Sequence, residues 1–417
     1  MSPTARPSDD EVYETYLYLL ARALVARQER VDLAEDGVEY NTIKYNPVGS
    51  ANFVNPNLDV AYLEAWVAVD DDSPATLTVP AVTGRYYTAQ LSDEWGDVIV
   101  NINERTMPDS PSGRFVLHAP GAAPSSADGV PIGLHSRKAK LLARVEIADD
   151  LDSAVALQHQ FTLSSDQTPR IAPPIELPAF DNQNLIGADL YAFAEELLTQ
   201  PPDPVASLAS MRERVAAVAE HVASGSDAHD EVEQRIRTDV IPRMWRESTT
   251  QILPTQDGWL IANTGGRYGD KYHLRLAANL IGIWANDAHE AVYYITNADS
   301  EGHPNDGSAH HSLTFPADSL PSAHANSYWS IILVSIPDFR VVPNAIDRYN
   351  LNSYSPLVFE EDGSLRIDIA PKAPDDRPQP NWLPSPAGHP FSLTFRIYVP
   401  KREVLDAEWF PPPLTIG

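Results

Sequence analysis

The acid in the stretch PNLDVAY is the first residue of this chain to pose a chemical question. Asp59 stands two residues after Asn57 and three before Tyr62, at the mouth of a run that continues through Leu63, Ala65, Trp66, Val67 and Val69 as a strand. An aspartate at a strand entrance accepts from the backbone N–H groups that follow it, as an asparagine does, so one reading is a turn cap. The other is a general base, or the charged partner of an arginine, at the open end of a β-sandwich where loops converge. The stretch GRYYTAQLSDEWGDV offers that arginine: alternation puts Arg85, Tyr87 and a polar run on one face, with Trp95 beyond. A buried arginine needs a carboxylate, and Asp59 or Asp93 supplies one. Such a pair, flanked by tyrosine hydroxyls, either holds a corner of the fold or binds a substrate oxyanion.

Further along, Tyr272 and Arg275 lie one helical turn apart in DKYHLRLAANLIGIW and share a face. They present a phenol and a guanidinium to a cavity between domains, or they simply dock the helix on the C-terminal half. Loops AIDRYNL and NWLPSPAG bring Arg348 and Trp382, the latter lining an apolar pocket or anchoring its loop. The stretch GHPNDGSAHH gathers His303, Asp306, His310 and His311, with His324 following, and invites a metal hypothesis. Neither H-E-x-x-H nor H-x-H with a distant carboxylate is present, so the expectation is no metal, with an oxygen-bound divalent cation as the alternative. G-x-S-x-G and the P-loop are absent, which argues against the usual serine elbow and against nucleotide binding.

Composition narrows the field. With 417 residues, 43% of them hydrophobic, including 8 Trp, 17 Tyr and 11 Phe, two sizeable cores are expected. The 37 Pro and 20 Gly punctuate many short segments and favour antiparallel β architecture. Thirty basic against 58 acidic residues give a net charge of −28, which disfavours nucleic acid and anionic membrane as partners. The lack of cysteine removes disulfides, thiolate zinc sites and cysteine nucleophiles. The start MSPTARPSDDEVYETYLYLL does not read as a secretion signal, and the longest apolar runs fall short of the roughly 18 residues a span needs. A soluble, cytoplasmic protein is the expectation.

The elements follow from periodicity. Residues 9–30 carry apolar side chains at helical spacing behind an acidic first turn. From 51 to about 165 short strands recur between Asp, Pro and Gly clusters. Amphipathic helices fill 184–250, where Pro242 is expected to kink or stop the third, and another helix is expected over 270–287. Strands return in AVYYITNAD, HSLTFPA, YWSIILVSI, LRIDIA and FSLTFRIYV. The reading is a mainly β protein with helical additions: two jelly-roll-like antiparallel β-sandwich modules with a helical segment between them. Its divisions are a lead-in at 1–50, a sandwich at 51–180, helices at 181–287 and a second sandwich at 288–417.

Several of these stretches together resemble the bacterial two-part family in which domain of unknown function 1254 precedes domain of unknown function 1214. PNLDVAY, GRYYTAQLSDEWGDV, Arg105 and ARVEI with the following ALQHQFTL carry the N-terminal likeness. GRYGDKYHLRLAA, DSEGHPNDGS, LTFPADSLP, YWSIILVSIPDFRVVPNAIDRY, NWLPSPAG and FRIYVPKREVLDAEWFPPP carry the C-terminal one. The likeness spans about 10–175 and 255–413 and implies paired jelly-roll-type sandwiches. Val60 and Asp347 depart from it, standing where the family carries threonine and asparagine. The resemblance implies no particular reaction.

Residue chemistry then suggests an enzyme of small-molecule metabolism acting on a largely apolar or aromatic substrate by hydrolase- or lyase-type acid–base chemistry. Asp59 is the expected base, Arg85 or Arg275 the anion clamp, and Tyr62, Tyr87 or Tyr272 the proton donor. Asn57, Trp95, Arg348 and Trp382 are the expected substrate contacts. No organic cofactor, nucleic acid or membrane enters this reading, and homo-oligomerisation is left open. The alternative is a non-catalytic small-molecule-binding or scaffold protein, which the same fold hosts equally well.

Overall fold

Ser8 starts the first helix. Its hydroxyl accepts from the Glu11 N–H at 3.2 Å while the Glu11 carboxylate accepts from the Ser8 N–H at 2.7 Å, and Asp9 and Asp10 add negative charge where the helix dipole is positive. The helix so begun, α1 (Asp9–Leu33), is buried on almost every side from Val12 to Ala26, because it forms the axis of a helical body. The computed structural model describes residues 6–49, 56–122, 128–199, 201–250, 253–299, 302–336 and 339–416. Residues 1–5, 300–301 and 337–338 of the stretches quoted above lie outside them.

The N-terminal module runs β1 (Lys44–Tyr45), β2 (Val60–Ala68), β3 (Ala75–Val79), β4 (Tyr87–Ser92), β5 (Val98–Ile102), β6 (Gly113–His118), β7 (Val130–Gly133), β8 (Lys138–Glu146), α2 (Leu151–Gln158) and β9 (Thr162–Ser165). Its inner sheet has the order β1-β2-β8-β4-β5 and its outer sheet β7-β6-β3-β9, antiparallel except for β6–β7. Ala61, Leu63, Ala65 and Val67 alternate inward from β2 to meet Leu77, Phe115 and Leu117 of the outer sheet. Helices α3 (Ala194–Thr199), α4 (Met211–Val222), α5 (Ser226–Arg235) and α6 (Ile241–Thr250) follow.

The C-terminal module holds β10 (Thr255–Gln256), β11 (Trp259–Ala262), α7 (Tyr272–Ile281), β12 (Ala291–Thr296), β13 (His311–Phe315), β14 (Trp329–Ser335), β15 (Asn350–Asn352), β16 (Leu365–Ala370), β17 (Trp382–Pro384), β18 (Phe391–Tyr398), α8 (Arg402–Leu405) and β19 (Thr415–Ile416). The inner sheet is β10-β11-β12-β18-β14-β15 and the outer β17-β16-β13-β19, with β16–β17 parallel. Trp329, Ile331, Phe395 and Ile397 meet Phe315, Leu365 and Ile367 in the second core. Two mainly antiparallel β-sandwich modules with helices between them is the fold that periodicity predicts.

Three details differ from expectation. β10 and β11 fall inside the stretch read as helical, yet join the C-terminal inner sheet, where Trp259 and Ile261 are buried and Trp259 Nε1 donates to the Pro412 carbonyl at 2.9 Å. Of the kink or stop expected at Pro242, the stop does not occur: a wider π turn at Ile236–Val240 precedes the proline, relieves the demand for the missing N–H, and the helix runs on to Thr250. Helix α7 ends at Ile281 rather than 287, since Trp284 turns the chain at a left-handed φ of 60°.

The inner N-terminal sheet is covered on both faces, and this positions everything that follows. One half of its outward face lies under α1. There Lys138 Nζ meets Glu29 at 2.8 Å, Lys140 Nζ meets Asp32 and Glu64 at 2.7 Å each, and Arg22 reaches Glu94 at 3.1 Å. The other half meets the inner C-terminal sheet.

Close approach sets one glycine. A Cβ on Gly307 would stand 2.2 Å from the Pro386 carbonyl oxygen and 2.6 Å from that of His389. Gly307→Ala is therefore expected to destabilise by about 1–3 kcal/mol, the usual cost of overpacking against backbone. Urea unfolding checks this, and an unchanged midpoint would contradict the geometry.

Candidate functional site

Strand register builds matching rows on the two inner sheets. On the N-terminal sheet Tyr62 pairs with Arg144, and Arg144 with Thr88 across β2, β8 and β4, while Thr88 Oγ1 accepts from Asn103 at 3.0 Å. On the C-terminal sheet Tyr293 pairs with Arg396, Arg396 with Ser330, and Ser330 with Asn352 across β12, β18, β14 and β15. Both rows read Tyr, Arg, hydroxyl, Asn. Each is preceded by an acid at the entrance of its first strand, Asp59 before β2 and Glu290 before β12, and each hydroxyl strand is entered by a tyrosine, Tyr86 or Tyr328. The acids cross over: Asn352 and Asn350 of the C-terminal module donate to Asp59 Oδ1 at 2.8 and 2.7 Å, and Asn103 of the N-terminal module donates to Glu290 at 2.9 Å. The seam between the modules is thus close to two-fold in its chemistry.

The symmetry breaks at the acids. Glu290 is neutralised, since Arg105 Nη2 meets its carboxylate at 2.6 Å. Among the described residues Asp59 accepts hydrogen bonds from amides only, and its Oδ2 has no hydrogen-bond partner. Ser330 stands near enough for its hydroxyl to act on the Asp59 carboxylate, but outside hydrogen-bond geometry. Burial raises the Asp59 carboxyl above its ordinary range, and the amides of Asn352 and Asn350 with the positive field of Arg396 only partly offset this. Asn57 caps the turn, its Oδ1 accepting from the Asp59 N–H at 2.9 Å, while its Nδ2 donates to Tyr398 Oη at 2.5 Å. Glu146, the last residue of β8, accepts from the Tyr86 N–H at 2.7 Å and from the Tyr354 hydroxyl.

Arg144 differs from the cations further along its own strand. It is buried to 3% exposure, donates to Gln90 Oε1 at 3.1 Å and to the Trp284 carbonyl at 3.4 Å, and lies 5.5 Å from the Tyr62 ring centroid. No carboxylate comes within ion-pair distance of it among the described residues, and its Nε has no acceptor. Lys138 and Lys140 on the same strand are both ion-paired. Around it stand Tyr62, Tyr86 and Tyr293, and Tyr86 lies edge-on at 5.4 Å to Tyr398, which is stacked on Tyr328 at 4.0 Å. Burial lifts Tyr86, Tyr328 and Tyr398 well above the ordinary phenol range, so they are neutral donors at neutral pH. The Tyr86 and Tyr328 hydroxyls have no partner among the described residues.

Of the residues singled out from the sequence, the seam brings together Asp59, Asn57 and Tyr62. Arg85 does not join them: it donates to the Glu146 carbonyl at 2.9 Å and bridges toward α2. Tyr87 alternates with Ala89 and Leu91 into the N-terminal core and donates to the Pro111 carbonyl at 2.8 Å, so the polar run Thr88, Gln90 and Ser92 shares its face with Tyr86 instead. Tyr272, Arg275 and Trp95 meet elsewhere, in the helical body. Arg275 is fully buried there between Asp97 at 3.3 Å and Asp203 at 2.7 Å, over the Trp95 ring at 4.6 Å. Arg348 donates to the Gln379 and Trp382 carbonyls, and Trp382 Nε1 to that of Ala370, a brace between loops. The histidines disperse: His310 to Asp368, His311 to the Asp306 carbonyl, His324 to Glu403. Among the described residues no cluster of three His, Asp or Glu side chains has metal-binding geometry.

A chain of two β-sandwiches joined back to back by a buried polar seam defines the class. Residues 40–165 match the family model described as protein of unknown function DUF1254, and residues 290–402 the one described as protein of unknown function DUF1214. The chain belongs to the two-part family in which these domains follow one another in that order. It is similar over 98% of its length, and 99% of the other chain, to the VPA0106 protein of Vibrio parahaemolyticus, with 16% identity and a TM-score of 0.70, which shows a shared fold. A putative uncharacterized protein of Burkholderia cenocepacia matches at 14% identity and a TM-score of 0.47, over 97% of this chain and 88% of that one. No curated protein sequence matches. No helix among the described residues is long and apolar enough to cross a membrane.

Two outcomes follow. Arg275→Met leaves Asp97 and Asp203 buried without their cation, and is expected to cost about 3–5 kcal/mol in denaturant unfolding. Asp59→Asn keeps the Oδ1 acceptor and removes a desolvated charge. A carboxyl raised on folding makes the wild type lose stability as pH climbs from the ordinary aspartate range through its folded value. The variant should therefore gain on the wild type with rising pH and match it in acid, as melting curves across pH would show.

Proposed function

We propose that the chain is a cytoplasmic enzyme of small-molecule metabolism that takes a compact organic anion at the seam and works on it by hydrolase- or lyase-type acid–base chemistry. The observation that carries this reading is Arg144, a buried guanidinium without a carboxylate in ion-pair distance among the described residues. An arginine stays charged at any physiological pH, and a buried charge without a counter-ion is costly, so a ligand anion is the natural complement. The tyrosine walls suit an apolar or aromatic body attached to that anion.

Within this reading Asp59 is the base. Its open Oδ2, its raised proton affinity and its placement by two amides suit proton abstraction. The neutral hydroxyls of Tyr328 and Tyr86 would donate to oxygen charge that develops in the transition state. Arg144 takes the clamp role that sequence reasoning gave to Arg85 or Arg275.

The test is a melting-temperature and calorimetric comparison of small aromatic and aliphatic carboxylates with their primary amides. Carboxylates should bind and amides should not. Arg144→Gln should weaken binding roughly 10–150-fold, the worth of charge-assisted hydrogen bonds. Once a turned-over anion is found, Asp59→Asn should lower turnover by about 10²–10⁴-fold with its affinity retained. Carboxylate binding that survives in Arg144→Gln would refute the clamp. Binding without turnover of any bound anion would favour a binding protein instead.

A further inference from the structure

A second constellation lies outside the seam, in the loops of the C-terminal sandwich. Ser319 sits in the connection from β13 to β14, His324 closes the 3-10 turn Pro321–Ala323 in the same connection, and Glu403 belongs to α8. His324 Nε2 stands 3.1 Å from Ser319 Oγ, and His324 Nδ1 stands 3.0 Å from Glu403 Oε1. The tautomer is dictated by the carboxylate, which only accepts. Nδ1 must carry the hydrogen, and Nε2 is left as the acceptor for the serine O–H.

We propose that Ser319, His324 and Glu403 form a nucleophile, base and orienting acid that cleave small carboxylic esters through an acyl-serine. Roles and distances define such a triad whatever the surrounding motif, so the missing G-x-S-x-G does not bear on it. The imidazole is held on two sides, by Glu403 and by stacking on Trp409 at 4.4 Å, and its side chain keeps 14% exposure. Trp409 Nε1 donates to Ser319 Oγ at 3.0 Å, which favours the oxygen as it becomes negative. Glu403 is kept ionised, since its own backbone N–H and His324 hold its carboxyl below the ordinary range. The N–H of Leu320, the residue after the serine, has no acceptor among the described residues and is left to donate to an incoming carbonyl oxygen. Ser319 is half-buried and opens to solvent, so the substrate is a short-chain ester that approaches from outside the sandwich.

The step balances with water as the only co-reactant. Ser319 Oγ bonds to the carbonyl carbon while its proton passes to His324 Nε2. The carbon–oxygen bond to the alcohol then breaks, and the alcohol leaves with that proton. Water repeats the sequence on the acyl-serine and releases the acid.

A fluorophosphonate probe on the wild-type chain, followed by digestion and mass spectrometry, tests this directly. Phosphonylation of Ser319 is expected, and hydrolysis of p-nitrophenyl acetate should fall at least 10²-fold in Ser319→Ala and His324→Gln. Glu403→Gln should slow labelling at least tenfold, and Ser322→Ala should leave it unchanged. A wild-type chain that carries no label on Ser319, or ester hydrolysis untouched by Ser319→Ala, would overturn the assignment. The labelling of the wild type decides even if a variant fails to fold.

Discussion

Two inner sheets are polar on the faces that meet, and the rest of the molecule is arranged around that constraint. Apolar surfaces join without regard to detail, but a buried guanidinium or carboxylate must find its complement within about 3 Å or shift its protonation. Each module solves this by presenting its acid at a strand entrance and its asparagine at the far end of a row, so that the acid of one is held by the amide of the other. The hydrophobic cores on the far sides of both sheets then hold the strand register that keeps these rows in line.

The contrast between Arg144 and its neighbours carries the functional argument. On one strand, Lys138 and Lys140 are met by acids of α1, and Arg144, four residues beyond Lys140, is met by none among the described residues. The structure thus holds a solved electrostatic problem and an open one side by side, under the same degree of burial. Asp59 and Glu290 show the same pairing: one acid quenched by Arg105, the other left with a free oxygen.

Much of this was legible in the sequence, and the part that was not has a physical cause. Period-two strands, capping residues and turn clusters are local signals, and they located β2, β12, β14, β18 and α1. Asp59 with Asn57 and Tyr62 stood out because three polar residues crowd one strand entrance. Arg144, Arg396, Ser330 and Asn352 were passed over because their meaning depends on which strands lie side by side. A signal was present: KAKLLARVE, save for Leu142, and FSLTFRIY place polar residues at every second position of strands buried on both faces, which calls for polar partners packed against that face. Arg85 and Tyr87 misled for a related reason, since one step of register exchanges the core face for the seam. Arg275 was misplaced because helix docking against Trp95 cannot be read from a single helix.

The crossed holding of the acids means that neither sandwich carries a finished centre. Asp59 without Asn350 and Asn352 would lose the donors that hold its side chain among the described residues, and Glu290 would lose the cation and amide it has from Arg105 and Asn103. Each half therefore acts as an obligate chaperone for the other's charge, in the manner of two subunits that have become one polypeptide. A change on one seam face calls for a matching change on the other. A chimera that paired halves from different members of the family would inherit two good folds and a mismatched centre.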